Sequence, residues 1–243
     1  MIVLIFIYIF ALSLSVLFMR IHFELNSDLY IKNPEDSDLG RKIISQSIEM
    51  IHRHGFEAFT FKKLANQIST TEAGIYRYFE NKHRLLLYLI SWYWNWLHLQ
   101  IRLTTNNLTD PFVRLKKVID LLSAKVQDDK TTTHVNETTL HQVVIAEGSK
   151  AYLTHHVDED NELQFFKPYK DLVALLADMI QACNKKYNYP RSLATTIIEM
   201  AHYQRFFSEH LPSLTDTKKT KKDKQVQLFL YDLVSASLKA GKK

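Results

Sequence analysis

A chain of 243 residues that is 46% apolar and 23% charged folds as one large domain or two modest ones, which excludes an intrinsically disordered protein. Five Gly and five Pro are too few for a many-turned β architecture, and a lone cysteine, Cys183, excludes an internal disulfide framework and suits a reducing compartment. The formal charge of +5, with a pI near 9.1, suits an anionic partner without identifying one.

Residues 1–19 carry no charged side chain and are rich in Ile, Leu, Phe and Val, long enough to span a bilayer as one helix. No Lys or Arg precedes the run and no small-residue cleavage site follows, so it does not read as a secretory signal. The reading adopted is that Met19 is the start and the upstream stretch an artefact of start-site choice. A real anchor ranks second, and Arg20 and His22 would then leave the remainder in the cytosol. A buried helix ranks third. The protein is expected in the cytoplasm, tethered to the inner membrane only if residues 1–19 are real.

Residues 20–38 form a polar arm broken by Pro34, with Ser37 or Asp38 placed to cap the next helix. From Leu39 onward the pattern is helical, punctuated by Pro111, Gly148, Pro168, Pro190 and Pro212. A first helix from Leu39 to His54 carries Ile43, Ile44, Ser47, Ile48 and Ile51 on one stripe, and Gly55 stops it. Thr60 then caps a short second helix in which Phe61, Leu64, Ala65 and Ile68 recur at helical spacing. Ser69 and Thr70 make a turn, and Thr70 or Thr71 caps a third helix through about Phe79, with Ile75 and Phe79 inward. Two short helices joined by a tight turn, with another behind them, is the geometry that places one helix in a DNA major groove.

Two details sharpen this. Gly74 sits inside the third helix, where it costs about 1 kcal/mol relative to Ala, which suggests a close approach to the backbone, DNA being one candidate. Lys82, His83 and Arg84 follow the cap Asn81 and oppose the helix dipole, a penalty that a bound phosphate would reverse. The alternative is that these side chains extend into water.

The segment Gly40–Tyr88, with Phe59-Thr60-Phe61-Lys62-Lys63-Leu64-Ala65, Ser69-Thr70-Thr71-Glu72-Ala73-Gly74-Ile75-Tyr76-Arg77-Tyr78-Phe79 and Asn81-Lys82, resembles the DNA-binding domain of TetR/AcrR-type regulators, over about a fifth of the chain. The resemblance implies an all-α homodimer: an N-terminal three-helix helix-turn-helix domain, 39–84, reads a palindromic operator on double-stranded DNA. A C-terminal helical domain, 85–243, dimerises and binds a small effector that releases DNA, so repression is the family default. Carried over by position, Thr60, Lys82 and the Tyr78 hydroxyl hold phosphates. Thr71, Glu72, Ala73, Tyr76 and Arg77 face base edges, with Lys62, Thr70 and Gly74 completing the DNA-binding set. Arg suits guanine, Ala or Thr the thymine methyl, and Glu cytosine N4. Tyr76 in the small domain's core is the alternative. Two departures stand out: Asn66-Gln67-Ile68-Ser69 occupies a turn where many relatives have Gly, and the apolar N-terminus is foreign to the pattern.

A fourth helix from Asn81 to about Leu103 is apolar on nearly every side and therefore buried, a rod between the reading head and the rest. Trp92, Tyr93, Trp96, His202 and Phe206 are the candidates for an effector pocket, plain core packing being the alternative. Further helices are expected near Phe112–Gln127, Asn136–Glu147, Tyr169–Tyr187, Pro190–His210 and Lys224–Lys239. Stripes on the last two, including Leu193, Ile197, Met200, Ala201, Phe207, Val226, Phe229, Leu230, Leu233 and Val234, are expected to form a four-helix bundle across a two-fold axis. Packing within one chain is the alternative.

No cofactor, metal or catalytic site is expected. His155-His156 with Asp158, Glu159 and Asp160 reads as a solvated acidic loop, and His134, Glu137 and His141 lack a matching second ligand pair. No Gly-rich phosphate loop or nucleophile elbow occurs in the sequence. The first function reading is a DNA-binding transcriptional regulator, the second a membrane-tethered DNA-binding or interaction protein, and an enzyme is a distant third.

Overall fold

The computed structural model describes residues 23–128, 132 and 134–240. The apolar run 1–19 lies outside them, and among the described residues no helix is long and apolar enough to cross a membrane. Every regular element among the described residues is helical. The architecture is all-α, a small N-terminal trio leading into a larger helical domain.

The trio comprises α1 (Asp38–Ala58), α2 (Phe61–Ile68) and α3 (Glu72–Tyr76). Ser37 Oγ accepts the Gly40 N–H at 3.1 Å and so starts α1. The stripe Ile43, Ile44, Ser47, Ile48 and Ile51 is buried. Gly55, at φ 76° and ψ 158°, breaks the helix there, in a left-handed region that glycine enters without a Cβ clash. Helix α3 ends at Tyr76, short of the expected Phe79: the Tyr78 and Phe79 N–H groups both donate to the Ile75 carbonyl while the chain bends to bury the two rings.

Helix α4 (Lys82–Thr105) is buried on almost every side from Leu85 to Trp94, which makes it the axis of the molecule. Around it pack α5 (Pro111–Ser123), α6 (Glu137–Glu147), the short α7 (Ser149–Tyr152) and α8 (Val157–Glu162), then α9 (Lys167–Cys183), α10 (Pro190–His210) and α11 (Lys222–Ala240). Segment 155–160, expected as a solvated loop, instead enters α8. Its Asp160 is only 3% exposed, because His83 and Arg84 supply the partners that let a carboxylate be buried.

Two further expectations change. The arm is not a loose lead-in: Leu25, Leu29 and Pro34 are buried, and the Ile31 N–H donates to the Tyr78 carbonyl at 2.8 Å. Its Glu35 accepts from Tyr88 Oη at 3.2 Å and sits 2.9 Å from His134 Nε2, so it ties α4 to the approach to α6. The stripe expected to face a second copy is also divided. Leu193, Ile197, Ala201, Val226, Leu230 and Val234 are buried within the single chain, whereas Phe229 is exposed and Met200, Phe207 and Leu233 are half-buried. One helix face supplies the monomer's own core and only its flank remains for a partner.

Candidate functional site

Helix α2 begins where Thr60 Oγ1 accepts the Lys63 N–H at 3.3 Å, and α3 where Thr71 Oγ1 accepts the Gly74 N–H at 3.1 Å. Between them Ser69 adopts a left-handed conformation, φ 57° and ψ 48°, and its neighbour's N–H reaches back to the Ala65 carbonyl at 3.0 Å. The three helices share a core of Ile48, Phe59, Leu64, Ile68, Ile75 and Phe79. That core fixes α3 from beneath through Ile75 and leaves its other face outward: Thr71, Glu72, Ala73, Tyr76 and Arg77 are all exposed. Tyr76 is 46% exposed, its ring meeting Phe61 edge-on at 5.1 Å between centroids, so it is braced but outside the core.

Thr60 and Lys62 are also exposed, and Thr70 is half-buried. Gly74 has a reason inside the chain, since a Cβ there would lie 2.9 Å from Thr70 Oγ1. Tyr78 is 4% exposed and its hydroxyl is 2.8 Å from Ser37 Oγ, so that group already has a partner across the domain. Lys82 turns inward: Nζ donates to the carbonyls of Phe56 (3.2 Å), Glu57 (3.4 Å) and Phe59 (3.5 Å), and lies 4.7 Å over the Phe56 ring. The cluster at the start of α4 is likewise neutralised internally. Asp160 Oδ2 is 2.9 Å from His83 Nε2, and Asp160 Oδ1 accepts from Arg84 Nη1 at 3.4 Å. A phosphate is therefore not needed to offset the dipole penalty there; Asp160 does it. Sequence reasoning missed Lys32, which the arm lays 5.4 Å over the Tyr78 ring, just past the end of α3, and leaves exposed. No periodicity in the arm marks it.

Residues 43–89 match the profile of the bacterial regulatory proteins of the tetR family. The chain carries a TetR-type helix-turn-helix. No curated protein sequence matches the chain. Among solved structures, a TetR-family regulator from Syntrophomonas wolfei, described as putative, superposes with a TM-score of 0.60 at 15% identity, over 82% of this chain and 97% of that one. AibR, crystallised with isovaleryl coenzyme A and operator DNA, gives 0.55 at 15% identity over 82% and 98%. The fatty acid degradation regulator FadR from Bacillus halodurans gives 0.53 at 21% over 78% and 96%. At these identities the likeness establishes a shared fold, and it extends beyond the TetR-type domain into the C-terminal helices.

The C-terminal helical domain that follows the TetR-type helix-turn-helix contains several cavities. One of about 290 Å³ is lined by Tyr93, Trp96 and His202 together with His141, Leu97 and Leu122. An adjoining one of about 420 Å³ is lined by Phe206, Arg205, Lys125 and, from the reading head, His52. Of the five candidate pocket residues, Trp92 belongs to neither; it is buried edge-on against Phe23 at 5.2 Å. Tyr93 Oη is 2.7 Å from His141 Nδ1, and burial raises the Tyr93 hydroxyl above its ordinary range. Burial, then the charge of Arg205, holds His202 down to about 4, and burial, His202 and Arg205 hold His141 well below the usual range. Both imidazoles are thus neutral walls at pH 7. Cys183 takes no part, its thiol pushed up to about 11 by burial and Asp110.

Proposed function

We propose that this protein is a transcription regulator that binds a palindromic DNA operator as a homodimer through α3. It acts in the cytoplasm and is released by a small effector bound among the C-terminal helices. The observation that carries the reading is the outward polar face of α3, Thr71-Glu72-Ala73 with Tyr76 and Arg77, on a short helix held only from beneath. Thr60 and Lys62 flank it as phosphate contacts. Two copies would set their α3 helices roughly 34–36 Å apart, one turn of DNA. The AibR complex, which holds both isovaleryl coenzyme A and operator DNA on the same fold, supports a small-molecule ligand acting alongside a DNA site. Release by the effector, and repression as the mode of control, are what the TetR/AcrR resemblance implies.

The test is an electrophoretic shift assay with the full chain on DNA flanking its own gene, at two salt concentrations. Specific binding should fall steeply with salt, because each phosphate neutralised releases counterions. Arg77→Ala should cost about 1–3 kcal/mol and relax preference at one operator position, whereas Lys62→Ala should weaken all sequences alike. Identical behaviour of the two variants, or absence of specific binding by the unaltered chain, rejects the assignment.

A further inference from the structure

The two adjoining cavities differ in chemistry along their length. The larger is walled by Lys125, Arg205 and Lys222, with Glu209 the one carboxylate on its lining among the described residues. Glu209 pairs with Lys222, and Arg205 Nη1 meets Asp223 Oδ1 at 2.9 Å, while Lys125 has no ion-pair partner among the described residues. Among the described residues one positive charge is therefore in excess. The crowding has a consequence: burial, then the neighbouring charges of Arg205 and Lys125, lowers the Lys222 ammonium from its ordinary value. The imidazoles of His52, His141 and His210 on the same lining add hydrogen-bonding groups.

The smaller cavity shares Lys125, Val126 and His141 with the larger, so the two adjoin, and its remaining wall is largely aromatic and aliphatic. Trp96 lines it at 6% exposure, with an indole N–H that is buried and has no acceptor among the described residues. A buried donor left in that state costs about 1–3 kcal/mol, which an oxygen on a bound molecule would recover. A cavity edged by cations, beside one whose wall is mainly rings and hydrocarbon with a few amides and imidazoles, suits a ligand with charge at one end and hydrocarbon at the other.

We propose that these cavities bind an amphipathic organic acid, its anionic head among Lys125, Arg205 and Lys222 and its apolar body against Tyr93 and Trp96. The inference rests on the reading that the second domain holds the effector, and it assigns that effector's chemical class. Because His52 on α1 and His141 on α6 share the lining, the head would sit where the reading head meets the effector domain.

Isothermal titration calorimetry on the full chain at pH 7.5 tests it with sodium octanoate and with octan-1-ol, the same tail without the charge. Octanoate should bind about tenfold tighter or more, with the advantage shrinking as salt rises. Lys125 is exposed and has no ion-pair partner among the described residues, so Lys125→Gln should fold normally and lose about threefold to tenfold in octanoate affinity, while Lys125→Arg restores it and Lys117→Gln changes nothing. Octanol binding as tightly as octanoate, neither binding, or Lys125→Gln binding unchanged would each overturn the proposal. A DNA shift assay without any acid separates the readings: specific DNA binding with no acid binding rejects this inference alone, and loss of specific DNA binding rejects the regulator.

Discussion

Lys82, His83 and Arg84 show how a side chain's partner decides its role. Lys82 Nζ serves three carbonyls, one of which, on Phe56, also accepts the Phe59 N–H at 3.3 Å. They lie at the break where α1 gives way to α2, a place where helix-end carbonyls lack their usual intrahelical donors. Lys82→Ala should therefore lower stability by about 1–3 kcal/mol, seen as a lower melting temperature, with DNA affinity little changed well below the melt. Ser69 offers the opposite test. A residue with a Cβ at φ 57° is strained by roughly 1 kcal/mol, so Ser69→Gly should raise the melting temperature without altering the turn. His202 sets a pH limb. Its folded-state pKa of about 4 lies below the ordinary 6.5, so the unfolded chain takes up the proton first as pH falls. Stability is therefore complete above 6.5 and declines toward pH 4, by at most about 3 kcal/mol, with His141 acting in the same direction. His202→Gln should show a shallower fall in melting temperature between pH 7 and pH 4.5, and an unchanged slope would reject the assignment.

Among the elements, α6 touches both the cavities and the reading head, as α4 does through Lys82 and Tyr93. On α6, His141 and Ile145 line the cavities, and two residues beyond Ile145 Glu147 Oε1 accepts the Phe56 N–H at 3.0 Å, immediately after the Gly55 break. Glu147 Oε2 is in turn 2.8 Å from Lys150 Nζ, which fixes the carboxylate's position. A ligand that shifts α6 thus pulls on the elbow between α1 and α2, and through their shared core on α3. Glu147→Ala should destabilise the fold by about 1–3 kcal/mol by stranding a buried N–H, and should weaken the effect of ligand on DNA binding more than DNA binding itself. Glu147→Gln retains the acceptor for Phe56 and should keep the coupling. Equal coupling in all three proteins, measured by shift assays with and without ligand, would place the route elsewhere.

For the whole molecule, the outer flank of α10 and α11 leaves Tyr203, Leu228 and Phe229 exposed, with Met200, Phe207 and Leu233 half-buried beside them. Apolar surface of this kind on two adjacent helices is what a two-fold interface would cover. Phe229→Glu should convert a dimer to a monomer in sedimentation equilibrium and reduce operator affinity, since one half-site per chain then binds alone. If the unaltered chain already sediments as a monomer at micromolar concentration, the homodimer reading is rejected.

What the sequence determined by itself was everything written in short range. The α1 stripe, the Gly55 stop, the Thr60 cap and the outward set on α3 all follow from spacing within a few residues, and the TetR-type pattern lies within 43–89. Only the tertiary structure decided which polar groups were already taken. Asp160 lies 77 residues from His83, and Glu147 lies 91 from Phe56, so helical periodicity carries no trace of either pairing. The same holds for Trp92 leaving the pocket and for α10 and α11 spending their main stripe inside one chain. Helix formation depends on neighbours along the chain, whereas a side chain's partner depends on which distant surface the packed core brings against it.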